Sequence, residues 1–225
     1  MAVAKLLLAL GLAVALIAGT FVLLPSTYIG SFIEPAVTAK FIFLGYAITI
    51  AGLISVSCFL LSRRSIPVSI SLVDIFIMTM CLYMIIDRYY IHSDHGFSIR
   101  FLELFQLLVC YFLLRCLPVR LYPFLLLGII VGGFLQIIQG FLQLAGIIDS
   151  HHAGFPITGS FFNPGGYAGY LSLITVLSLG MYLYRNRLID ILHRTDNTLF
   201  NRSLPGLFTY LPILVFVSCL IILPG

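Results

Sequence analysis

Charge is what this sequence has least of. Only 9% of its 225 residues are Asp, Glu, Lys or Arg, too few to cover the surface of a soluble domain of this size. The formal net charge is +4, but the basic residues form no cluster of the kind that grips a phosphate backbone. Nucleic acid is therefore not an expected partner. Cysteine is sparse too: Cys58, Cys81, Cys110, Cys116 and Cys219 have no CxxC spacing and lie in or beside apolar runs. That pattern argues against a disulfide framework and against structural zinc, and leaves the thiols as small buried hydrophobes. Internal repeats, low-complexity segments and a separate soluble domain are also lacking.

Apolar residues make up 61% of the chain, with a mean hydropathy of +1.13. A helix needs roughly 20 apolar residues to cross a bilayer, and seven segments qualify: Lys5–Leu24, Val37–Leu61, Val68–Ile86, Ile99–Leu117, Leu121–Ile148, Gly166–Tyr184 and Leu207–Leu223. The expected fold is an all-α polytopic membrane domain of about seven transmembrane helices. The first run is longer than the ~7–15 apolar residues of a secretory signal, so it reads as an uncleaved span. Nine of the twelve basic residues, among them Lys5, Arg63, Arg64, Arg120 and Arg194, fall on one side of this alternating topology, against Lys40, Arg88 and Arg100 on the other. The positive-inside rule then places the N-terminus in the cytoplasm and the loops Pro25–Ala36, Asp87–Ser98 and Asp149–Gly165 outside.

Polar residues within this apolar frame are the candidates for chemistry. Gln136, Gln139 and Gln143 are spaced to share one helical face. Three amides facing lipid would be unfavourable, so the stripe should face protein, as in hydrogen bonding between helices, or a wet cavity. The loop DRYYIHSDHGFSIR supplies Arg88, His92, Asp94, His95 and Arg100, and the next outer loop supplies Asp149, His151 and His152. The histidine spacing fits no metal motif, so no metal is expected. Arg88 and Arg100 suit an anionic group held bidentately, or equally an anchor at the interface. Asp74 and Glu103 lie inside spans; each is a functional candidate, or a partner for a neighbouring helix.

The stretch GFPITGSFFNPGGYAGYLSL, Gly154 to Leu173, holds two prolines and five glycines and runs straight into a span. Pro156 and Pro164 keep helix out of it, and Asn163-Pro164 is suited to start the next helix with Asn163 as N-cap. A helix start presents free N–H groups suited to an anion. Thr158, Ser160 and Asn163 would shape such a site, with Phe161, Phe162, Tyr167 and Tyr170 at headgroup depth. The alternative is a capped re-entrant turn without a ligand.

Thr158 to Leu171, TGSFFNPGGYAGYL, resembles the signature of the O-antigen ligase superfamily, in which a Gly-Thr-Phe-x-Asn-Pro-Asn-like loop leads into a small-residue stretch ending in Gly-Tyr-Leu. The preceding GFLQIIQGFLQ is similar to the span before that motif. Ser160 and Gly165 depart from the pattern, which blurs the choice of subfamily. The resemblance covers Gln136 to Leu173. It implies transfer of a glycan from an undecaprenyl diphosphate carrier to an acceptor (lipid A-core, a growing polysaccharide or a protein hydroxyl) on the outer side of the bacterial inner membrane, with no cofactor and no metal. With it, the residue readings above make Asn163, Thr158, Ser160, Gln136, Gln139, Gln143 and Arg88 the expected substrate contacts. Family members have about a dozen spans, so the chain is expected to be the N-terminal part of a longer one, with the catalytic loop beyond Gly225, and to transfer no glycan when expressed alone. Within it, His151, His152 and Arg100 are the candidates. The rival expectation is a transporter or lipid-linked glycan flippase, with the Gln stripe and Asp74 lining a path.

Overall fold

A computed structural model describes residues 35–62, 70–91, 99–115, 122–193 and 200–223. The expected first span, Lys5–Leu24, lies outside the described residues. So do His92, Asp94 and His95, the side chains of Arg100 and Glu103, and most of the basic residues behind the expected orientation.

The described residues are helical and contain no strand. In chain order the helices are α1 (Pro35–Ser62), α2 (Leu72–Ile86, continued by a π-helical turn, Asp87–Ile91), α3 (Ile99–Arg115), α4 (Tyr122–Leu144), α5 (Pro164–Leu183), α6 (Arg185–His193) and α7 (Phe200–Ile222). Three stretches are long and apolar enough to cross a membrane: Tyr122–Leu144, Pro164–Leu183 and Pro205–Ile222. Thr38–Ile54 and Leu104–Arg115 are shorter apolar helical stretches. This is a helical membrane protein.

Helix ends follow local chemistry. Ser71 caps α2 in a reciprocal box, its hydroxyl accepting from the Asp74 N–H at 3.2 Å while Asp74 accepts from the Ser71 N–H at 2.6 Å. The same Asp74 carboxylate accepts from Tyr111 at 2.6 Å and from two nitrogens of Arg115 at 2.9 and 2.8 Å, so α2 is pinned to α3 by a two-pronged ion pair. Of the two roles open to Asp74, the structure shows the helix pairing.

At the far end of α4, Gly146 takes φ +69, which only glycine adopts without strain. Its N–H donates to Gln143 O at 3.0 Å and the Ile147 N–H to Leu142 O at 2.9 Å, the paired bonds of a Schellman stop. Sequence reading ran this span to Ile148; Gly146 ends it earlier. The opposite correction applies to the loop after Tyr184, where Arg185–His193 forms α6 and lays Leu188 and Ile189 against the core.

Helices α4, α5 and α7 form a three-helix bundle around Ile130, Ile137, Leu171, Ile174, Phe208 and Val215. In lipid such packing is held by shape fit rather than by escape from water. Glycines supply that fit: Gly128, Gly132, Gly133 and Gly140 of α4 are buried, and a Cβ on Gly133 would stand 2.5 Å from Ile174. Gly165 and Gly169, whose four-residue spacing could offer a second such surface, are exposed, and a Cβ on Gly169 would meet nothing within 4 Å.

Candidate functional site

The site grows from the two glutamines of α4 that are most deeply buried. Gln143 aims its side chain at the segment Ile157–Ser160, every residue of which is buried. Its Oε1 accepts from the Thr158 N–H at 2.9 Å and the Gly159 N–H at 2.7 Å, while its Nε2 donates to Gly159 O at 3.0 Å. Gln136 continues the pattern: its Oε1 accepts from both the backbone N–H and the hydroxyl of Ser160, at 3.1 and 3.0 Å. Two side-chain amides therefore replace the water or backbone partners that a non-helical segment would otherwise need. Gln139 is half-buried, and its Oε1 receives a long 3.4 Å bond from Gln136 Nε2.

Of the two readings open to the stripe, protein or a wet cavity, the structure shows protein for Gln136 and Gln143. They grip the loop that follows them. The loop can lie so close because Gly159 has φ +54, and a Cβ there would stand 2.5 Å from the Tyr167 ring and 2.9 Å from Gln136 Oε1. Tyr167 in turn donates to Gln136 O at 3.0 Å. Thr158 closes the upper part, its hydroxyl accepting from the His151 N–H at 3.2 Å and sharing a 3.1 Å bond with Ser150.

Below the clamp the chain turns into α5. Asn163 is the N-cap, its side-chain oxygen accepting from the Gly165 N–H at 2.8 Å, and Pro164 occupies the first helical position. The cap role expected for Asn163 is the one it has. Its side chain is exposed, whereas Thr158 and Ser160 are fully buried.

A residue absent from the candidates completes the constellation. Lys40, near the start of α1, donates to Ser160 O at 3.1 Å and stands 5.0 Å above the Phe161 ring. An ammonium group in an otherwise apolar helix was the signal that could have singled it out. His151 lies close enough to feel that charge: burial, with the Lys40 ammonium adding to it, lowers its pKa from the usual 6.5, so the imidazole is neutral at pH 7. His152 turns away, its Nδ1 accepting from the Gly154 N–H at 3.1 Å and its ring packing against Phe155 and Phe162 at 5.0 and 5.6 Å. Arg88 is half-buried on a different element, the turn Asp87–Ile91. Thus Gln136, Gln139, Gln143, Thr158, Ser160, Asn163 and His151 come together around one loop, with Lys40 added.

Chemically, this gathers a helix start, a lysine ammonium and a neutral imidazole at one end of the bundle. No group of three metal-ligating side chains occurs among the described residues. Comparison of the chain with protein-family models, with characterised proteins and with solved structures returns no match.

Proposed function

We propose that the full-length protein transfers a glycan from an undecaprenyl diphosphate carrier to an acceptor hydroxyl, as the likeness of Thr158–Leu171 to the O-antigen ligase signature implies. The topology proposed with it has seven spans, the N-terminus in the cytoplasm and the Asp149–Gly165 loop on the outer face of a bacterial inner membrane. The observation that carries this reading is the clamped loop: Gln136 and Gln143 fix the signature segment against α4, and Lys40 reaches the same segment from α1.

In the proposed reaction the bond between the sugar's anomeric carbon and the carrier phosphate breaks. The acceptor oxygen forms the new bond to that carbon, and its proton passes to a base. The start of α5 and the Lys40 ammonium favour the departing diphosphate. His151, neutral at pH 7, is the candidate base within this chain. The rival transport reading needs Gln136, Gln143 and Asp74 to line a path, and all three are engaged in the intramolecular bonds described above.

Asn163→Ala tests the reading. Loss of a cap alone costs about 0.5–2 kcal/mol and lowers the yield of folded protein. A role in the site lowers transfer per folded molecule at unchanged yield, which is the outcome expected. Unchanged transfer per folded molecule would leave Asn163 a cap and nothing more.

A further inference from the structure

We propose that the segment from Leu144 to Phe162 is a re-entrant turn lying in the membrane interface, with Phe155 and Phe162 in contact with lipid. Three independent features point to this placement.

The first is depth. Ser160 bonds to Gln136, and a Cβ on Gly140 would collide with the Tyr167 side chain. Gly140 and Gln136 lie four and eight residues before Leu144, the end of α4. At about 1.5 Å per residue Ser160 and the Tyr167 side chain thus sit ~6–12 Å below the end of the spanning helix, while Thr158 and Gly159 sit beside Gln143 near that end.

The second is backbone satisfaction. Irregular backbone is tolerated at membrane depth only where its polar groups find partners in the protein. The N–H groups of Thr158, Gly159 and Ser160 all donate to side-chain oxygens of α4, and Gly159 O accepts from Gln143. A loop in water would not need this, because water satisfies such groups without protein partners.

The third is the surface left outward. Ile147 is 68% exposed, Phe162 54% and Phe155 47%, in a turn whose apolar residues have no reason to face water. The two phenylalanines pack around His152, so they form one ledge rather than scattered rings. That ledge lies at the end of a bundle with large apolar side chains exposed, Leu144 and Leu173 among them. The partner that fits a continuous apolar surface of this kind is the headgroup and upper acyl region of the bilayer.

The chain contains no tryptophan, so Phe162→Trp and, separately, Phe155→Trp each give a single reporter. Either variant can be reconstituted in phosphatidylcholine–phosphatidylglycerol vesicles with a phosphatidylcholine brominated at carbons 6 and 7. Strong quenching by the brominated lipid is expected, with quenching by iodide several-fold weaker than for N-acetyltryptophanamide in solution. Emission unaffected by the brominated lipid, with iodide quenching close to that of the free compound, would place the ledge in a water-filled vestibule and overturn the proposal. If one variant fails to fold, the other decides by the same readings.

Discussion

Replacing Gln143 with leucine removes the clamp while nearly keeping its volume. The Thr158 and Gly159 N–H groups lose their 2.9 and 2.7 Å acceptor, and Gly159 O loses its 3.0 Å donor. Each buried polar group left unpaired costs about 1–3 kcal/mol, so the three together set a penalty on the order of 3–9 kcal/mol if the loop stays in place. That is a large share of the ~5–15 kcal/mol that holds a typical domain folded. The turn should therefore leave α4 rather than remain with orphaned groups. Two assays read this: the unfolding midpoint in mixed micelles should fall, and amide exchange at Thr158 and Gly159 should speed up far more than in the helices. Gln139→Leu is the control, since the long 3.4 Å bond it would break is worth no more than about 1 kcal/mol. Equal effects of the two variants, or unchanged exchange at Thr158 and Gly159 in Gln143→Leu, would refute the clamp.

Gly159→Ala should destabilise by about 1–3 kcal/mol, because a positive φ and a collision with the Tyr167 ring act together; a monodisperse yield equal to wild type would count against that packing. Arg115→Met should loosen α2 from α3 and speed amide exchange at the start of α2, and Arg115→Lys should restore only part, since one ammonium cannot match the two-pronged contact. Equal exchange in all three proteins would remove the ion pair from the account of α2. His151 takes a proton less readily in the folded protein than in the unfolded chain, so folding opposes its protonation. Stability is unaffected well above pH 6.5 and falls as pH drops through 6.5 toward the lowered folded value. His151→Gln should flatten that part of the unfolding profile, and a profile identical to wild type would assign the titration elsewhere.

Much of the fold was legible because apolar run length and helix punctuation are local signals. The ends of α5 follow from Asn163-Pro164 and the run behind it, whereas run length set the start of the third span at Val68 and missed the Ser71 cap that begins α2 at Leu72. The exact end of α4 required knowing which residue adopts the left-handed conformation, and Gly146 does so where Gly140 does not. Helix α6 was hidden because its nine residues carry too little apolar area to stand out. At the site, periodicity placed Gln136 and Gln143 on one face but could not name what they face. Their partners are backbone groups 15 to 24 residues onward, and a backbone N–H leaves no mark in sequence. Lys40 lies 120 residues from Ser160, a separation no local pattern bridges.

The central claim is that the glycan leaves its carrier. The full-length protein in proteoliposomes, given undecaprenyl diphosphate carrying a radiolabelled glycan together with candidate acceptors, separates this from transport. Transfer is expected to release undecaprenyl diphosphate and move the label onto an acceptor, with the yield reduced in Asn163→Ala per folded molecule. Label that crosses the bilayer while still joined to its carrier, with no glycosylated acceptor formed, would contradict transfer and favour translocation.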